Sequence, residues 1–192
     1  MFQIVGFILE HSFLSKSFRM TIIATISAAI LFGYLAYTAK VFGIPSMVSD
    51  TFYQLSRNGW VFSVTLFLAS LLMCAAILDS GQGIQALAFL GCGSLAFVGC
   101  APNYLNQDEY KVHETFAILS AVGCVGWCIS VNIIPTAIIA LLYLLYSISL
   151  DINKYIGNCF HLSNCSDIGH PWYWAEVCCF VDTYTTYFLV TL

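Results

Sequence analysis

The sequence predicts an all-α fold: a polytopic transmembrane six-helix bundle with a short N-terminal interfacial segment. Three observations predict it. Of 192 residues, 60% are hydrophobic and 8% charged, against roughly 25% charged in soluble domains. Mean hydropathy is +0.86. The apolar residues fall in six runs, each close to the about 20 residues a helix needs to cross a hydrocarbon core. A soluble chain this short could not hide so much apolar surface. Backbone groups in hydrocarbon must satisfy one another, and no barrel-length alternating strands are visible, so the spans are helices.

Residues 1–19 form the first unit. Phe2, Ile4, Val5, Phe7, Ile8 and Leu9 precede Glu10, His11, Lys16 and Arg19, the pattern of an amphipathic interfacial helix. A signal peptide would carry its positive charges before the apolar stretch. Residues 20–192 form the six-span domain. The spans are expected at 20–39, 59–78, 82–100, 112–131, 133–150 and 172–192.

Loop lengths alternate. The turns after spans two and four are short, around Asp79 to Gly81 and at Asn132. The loops at 40–58, 101–111 and 151–171 are long. With six spans, all three long loops emerge on one membrane face. Lys16 and Arg19 lie on the side of the termini; Lys40, Arg57, Lys111 and Lys154 lie on the other. That count favours termini outside by the positive-inside rule. The first helix often dominates, however, and Lys16 and Arg19 precede it, although Lys40 follows. On that weight the termini are expected in the cytoplasm, in a multi-pass membrane protein (of the inner membrane, if bacterial).

Charge excludes one class. The formal net charge is −4, which leaves no basic excess to neutralise nucleic-acid phosphates. The expected partners are the lipid bilayer and a second copy or another membrane protein.

Ionisable groups inside spans are expensive and usually paired or functional. Glu176 and Asp182 lie in span six, Asp182 near mid-membrane by the helical rise. Glu176 shares a ridge with Cys179, Thr183 and Thr186; Asp182 shares one with Cys178 and Thr185. Each carboxyl either bonds a hydroxyl on a neighbouring helix or forms a proton or ion site. His113 opens span four, and its face continues through Ala117, Ser120, Cys124 and Cys128. Asp50 follows Pro45, with Ser46 and Ser49 placed to cap a short helix. Loop arithmetic puts Asp50, His113, Glu176 and His170 at one level. Such a group could relay a proton, hold a metal or bind a polar headgroup.

Seven of the nine cysteines lie in apolar runs and read as small hydrophobes. Cys159 and Cys165 do not. They could close a disulfide in an oxidising compartment, or bind zinc with His161 and His170 in a reducing one. Their spacing fits no standard zinc finger, so no metal or other cofactor is expected. In span three, Ala88, Cys92, Ala96 and Cys100 recur in steps of four, with Gly91, Gly93 and Gly99 alongside. This is a close-packing ridge.

The stretch Ile44-Pro45-Ser46, then Ser49-Asp50, and later His113 with Ala117, resembles a pattern in uncharacterised six-span bacterial and phage membrane proteins. It is more distantly similar to the DRAM-like (damage-regulated autophagy modulator) group. That resemblance implies a six-helix bundle with a site at the long-loop face, and it carries over Asp50 and His113. The alkaline-ceramidase type of membrane hydrolase needs a His-x-x-x-His pair, which this chain lacks.

No nucleotide motif, multi-histidine cage or defined nucleophile–base spacing is present. The leading expectation is therefore a non-enzymatic membrane protein that binds a lipid, ion or protein partner at an interfacial polar site. Two alternatives stand beside it. One is a proton-coupled transporter using Glu176 and Asp182. The other is an interfacial lipid-modifying enzyme using His113 with Asp50 or Glu176.

Overall fold

The computed structural model describes residues 2–103, 105–159 and 170–191, with side chains from residue 18 onward except 107–108 and 151–159. Among these residues the fold is all-helical. The first helix, α1, spans Phe2–Phe42 without a break, so residues 2–19 and span one differ in composition within one helix. A 3₁₀ turn at Val48–Asp50, a short α2 at Thr51–Gln54 and a second 3₁₀ turn at Ser56–Asn58 fill the first long loop. Then come α3 (Trp60–Ser80), α4 (Gln85–Cys100), α5 (Gln107–Val131), α6 (Ile133–Cys159) and α7 (Pro171–Thr191).

Short connections join α3 to α4 and α5 to α6. The break between α3 and α4 has a backbone cause: Gly81 and Gly83 both take positive φ, +66° and +64°, a conformation that glycine adopts at little cost. Ser130 Oγ accepts the Ile84 N–H at 2.9 Å, and Trp127 Nε1 donates to the Gln82 carbonyl at 2.9 Å. The turn is thus tied to the end of α5. Because of it, α4 begins at Gln85, three residues later than expected, and has 16 residues. At 1.5 Å per residue it is about 24 Å long. At the other tight turn, Asn132 Oδ1 accepts the Ile134 N–H at 3.0 Å and starts α6.

Small residues set the packing of the central helices. A Cβ on Gly91 would lie 2.6 Å from the Cys124 backbone N, and one on Gly123 would lie 2.5 Å from the Gly91 N. The backbones of α4 and α5 therefore touch, as small-residue interfaces allow. Only part of the expected ridge serves this contact: Gly91 meets α5, Gly99 packs instead against Ser63 and Leu66 of α3, Cys100 is exposed and Gly93 faces open space.

Polar glue crosses the bundle at mid-height. Ser27 Oγ donates to the Ala69 carbonyl at 2.7 Å. Its one proton is thereby used, so the Tyr184 hydroxyl at 2.6 Å donates to it. One buried serine in α1 thus holds both α3 and α7.

The exterior is apolar. Four helical stretches are long and apolar enough to cross a membrane: Phe18–Phe42, Ser56–Ser80, Glu109–Val131 and Ile133–Leu150. The last is nearly all surface: Leu142 is 61% exposed and Leu145 56%. Soluble monomers rarely show an apolar face beyond a few hundred Å²; a membrane protein does. α7 has 21 residues but carries Glu176, Asp182 and several threonines.

Gly91→Val is expected to lower the unfolding midpoint in detergent, costing about 1–3 kcal/mol or more. Gly93→Ala is expected to stay within about 0.5 kcal/mol of the parent. Equal effects from the two would contradict the α4–α5 contact.

Candidate functional site

The first long loop is not a loose connection. Proline at position 45 ends the extended entry, and the chain turns at once into 3₁₀ and α geometry. Its backbone lies against the ends of α1, α5 and α7, where buried N–H and C=O groups need partners.

Three elements supply them: α7, α2 and the turn itself. The Glu176 Oε2 of α7 accepts the Val48 N–H at 2.8 Å. The Val48 carbonyl accepts from Thr51 Oγ1 at 2.7 Å, and Thr51 Oγ1 accepts in turn from the Tyr34 hydroxyl of α1 at 2.7 Å. Thr51 is fully buried. In the other direction, the Tyr173 N–H, an orphan donor of the first turn of α7, reaches the Ser46 carbonyl at 3.0 Å. Asp50 Oδ2 accepts the Met47 N–H at 3.0 Å. The N-cap position is thus Met47, its N–H held by the Asp50 carboxylate, where Ser46 or Ser49 was expected to cap.

Ser49 is free for another contact. Its Oγ lies 2.9 Å from His113 Nε2, and His113 Nδ1 lies 2.7 Å from the Ala101 carbonyl. A carbonyl can only accept, so Nδ1 carries a proton. In the neutral ring Nε2 is then an acceptor, and the Ser49 hydroxyl donates to it. Both residues are buried, each 7% exposed.

The second long loop is fixed as well. Glu109 Oε2 accepts the Asn103 N–H at 3.1 Å. The Tyr53 hydroxyl donates to Asn103 Oδ1 at 3.1 Å and accepts the Leu105 N–H at 2.9 Å. The Ala101 carbonyl that orients His113 therefore belongs to a held segment.

The structure brings Ser49, Asp50, His113 and Glu176 to one end of the bundle. His170 stands at that end too, just before α7, with its carbonyl on the Trp174 N–H at 3.2 Å. Asp182 does not join them. It is buried deeper, 2% exposed, where it accepts from Thr186 Oγ1 at 3.4 Å and faces Cys128 and Thr136. Its ridge thus includes Thr186, which the sequence assigned to the Glu176 ridge. The face of α5 below His113 is buried at Ser120, Cys124 and Cys128. Cys124 and Cys92 also line a small cavity of about 20 Å³, together with Met73, Ser70 and Thr183.

Among the described residues, no three His, Cys, Asp or Glu side chains converge as a metal site, and seven cysteines are free thiols. Of the candidates for a disulfide or zinc, Cys159 ends α6 with its side chain outside what is described, and His161 and Cys165 lie outside the described residues. Sequence reasoning did not single out Tyr34, Thr51 or Tyr53. Hydroxyls next to Asp50 were the available signal, but nothing in their spacing names a partner.

Comparison with known proteins finds no matching family model, curated protein or solved structure.

Glu176→Ala is expected to destabilise the bundle by about 1–3 kcal/mol, the cost of a buried unpaired N–H. Glu176→Gln keeps an acceptor and is expected to cost less. Denaturant titration in detergent checks both; an equal loss would show that Val48 does not depend on the accepted bond.

Proposed function

We propose that this chain is a multi-pass membrane protein of six spans, with α4 and α7 completing the four apolar ones, and that its long-loop face binds the anionic headgroup of a lipid. Both termini lie on the opposite side of the membrane from this face. The resemblance of the segments around Asp50 and His113 to the DRAM-like group belongs to this proposal.

One observation carries the reading. Exposed Lys40, Arg57 and Lys111 ring the end of the bundle that holds Ser49, His113 and Glu176. Exposed Trp60, Tyr110 and Trp172 stand at the same level. Aromatic rings at the headgroup level and basic side chains beside them suit an anionic membrane surface. The buried bonds of the loop keep this surface in one shape.

Replacing Lys40, Arg57 and Lys111 together by Gln is expected to reduce co-purified anionic lipid about tenfold or more, since each basic residue near the surface contributes about 1 kcal/mol. Native mass spectrometry of nanodisc-extracted protein reads it; undiminished lipid contradicts the proposal. Impermeant maleimide is expected to label Arg57→Cys and Lys111→Cys from one side and Gln82→Cys from the other, over the parent background.

A second reading, proton-coupled transport, is favoured by the buried Asp182 against Thr186, Cys128 and Thr136. Asp182→Asn would then abolish a pH-dependent flux in proteoliposomes while the bundle stays folded. An unchanged flux would remove this reading.

A further inference from the structure

We propose that Ser49 and His113 form a nucleophile–base pair for acyl transfer from a carboxylic ester of membrane-lipid class. The proposal rests on the interfacial lipid reading above, which supplies the substrate, and adds a reaction to it.

The geometry carries the argument. A serine hydroxyl is a weak nucleophile until a base takes its proton, and activation requires base and hydroxyl within hydrogen-bond reach. Ser49 Oγ and His113 Nε2 are 2.9 Å apart. A base must also be held in the right tautomer by a third group, whatever the fold that supplies it. Here the Ala101 carbonyl, 2.7 Å from Nδ1, does this. It presents the Nε2 lone pair to the serine. The arrangement joins residues 64 positions apart, from a turn and a helix start, and neighbouring bonds fix both parts. Tyr53, Asn103 and Glu109 hold the segment after Ala101. Glu176, Thr51 and Asp50 hold the turn that carries Ser49. The turn therefore does not use the Ser49 hydroxyl as its cap. Each member of the pair is 7% exposed, so bulk water is largely kept from the serine.

The reaction balances without a cofactor. The Ser49 Oγ forms a bond to the ester carbonyl carbon while its proton passes to Nε2. The carbon–oxygen bond to the alcohol breaks, and the leaving oxygen takes that proton. The products are acyl-Ser49 and the free alcohol. Water, or a second alcohol, then takes the acyl group by the same proton route in reverse.

The test uses the full chain in nanodiscs and an alkyl fluorophosphonate. Ser49 Oγ would bond to phosphorus, the phosphorus–fluorine bond would break, and fluoride would leave with the serine proton passing through Nε2. Peptide mass mapping is expected to place the adduct on Ser49. His113→Gln is expected to slow labelling at least 100-fold, within the range for loss of a general base, and Ser49→Ala to abolish it. The unmutated protein alone decides the matter should either variant fail to fold. No adduct on Ser49 above that on the exposed Ser56 overturns the proposal. Anionic-lipid retention is read separately on the same preparation. Retained lipid without an adduct rejects the acyl-transfer pair alone, whereas loss of both rejects the lipid site as well.

Discussion

The peptide unit of Val48 is held from both sides. Its N–H goes to Glu176 of α7 and its C=O to Thr51, which Tyr34 of α1 engages in turn. A helix satisfies its own backbone; a loop folded into the end of an apolar bundle cannot. The chain between α1 and α3 therefore needs side chains from elsewhere. Those that answer come from α1 and α7, with His113 of α5 on the adjacent serine. The need to pair this short stretch of backbone gathers the helix ends and fixes where each polar residue points.

The rest of the bundle follows a different rule. Lipid gives little hydrophobic drive for helices to associate, so close packing and interhelical hydrogen bonds must hold them. Gly91 against Gly123 supplies the first, and Ser27 between Ala69 and Tyr184 supplies the second. Large apolar side chains are left on the outside, above all on α6, where Ile133, Leu141 and Leu145 face outward. Small and hydroxyl-bearing residues such as Ser27, Ser70 and Thr186 are thus buried beside larger side chains such as Leu31, Leu66 and Trp127, while α6 turns its aliphatics outward.

Much of this was legible in the sequence. Apolar runs located the long helices because span length follows from the hydrocarbon thickness. Alternating loop lengths brought Asp50, His113 and Glu176 to one end, since direction reverses with each helix. The pairings themselves were not legible. Glu176 meets a backbone N–H 128 residues away, and a backbone group carries no sequence signal. Ser49 read as a helix cap, yet Met47 stands at the cap and the Asp50 carboxylate reaches back to its N–H. The late start of α4 depends on two glycines in left-handed geometry, which composition allows but does not require. The junction at residues 19 and 20 is a change of composition that leaves the helix intact.

The central claim is that residues 45–51 form a held element with a paired backbone. Amide hydrogen exchange of the full chain in nanodiscs, read by mass spectrometry over this segment, tests it most directly. The account predicts slow exchange at Met47 and Val48, comparable to the first turns of α3 and far slower than an open loop of the same sequence. Exchange of these amides at the rate of an unstructured peptide would contradict it.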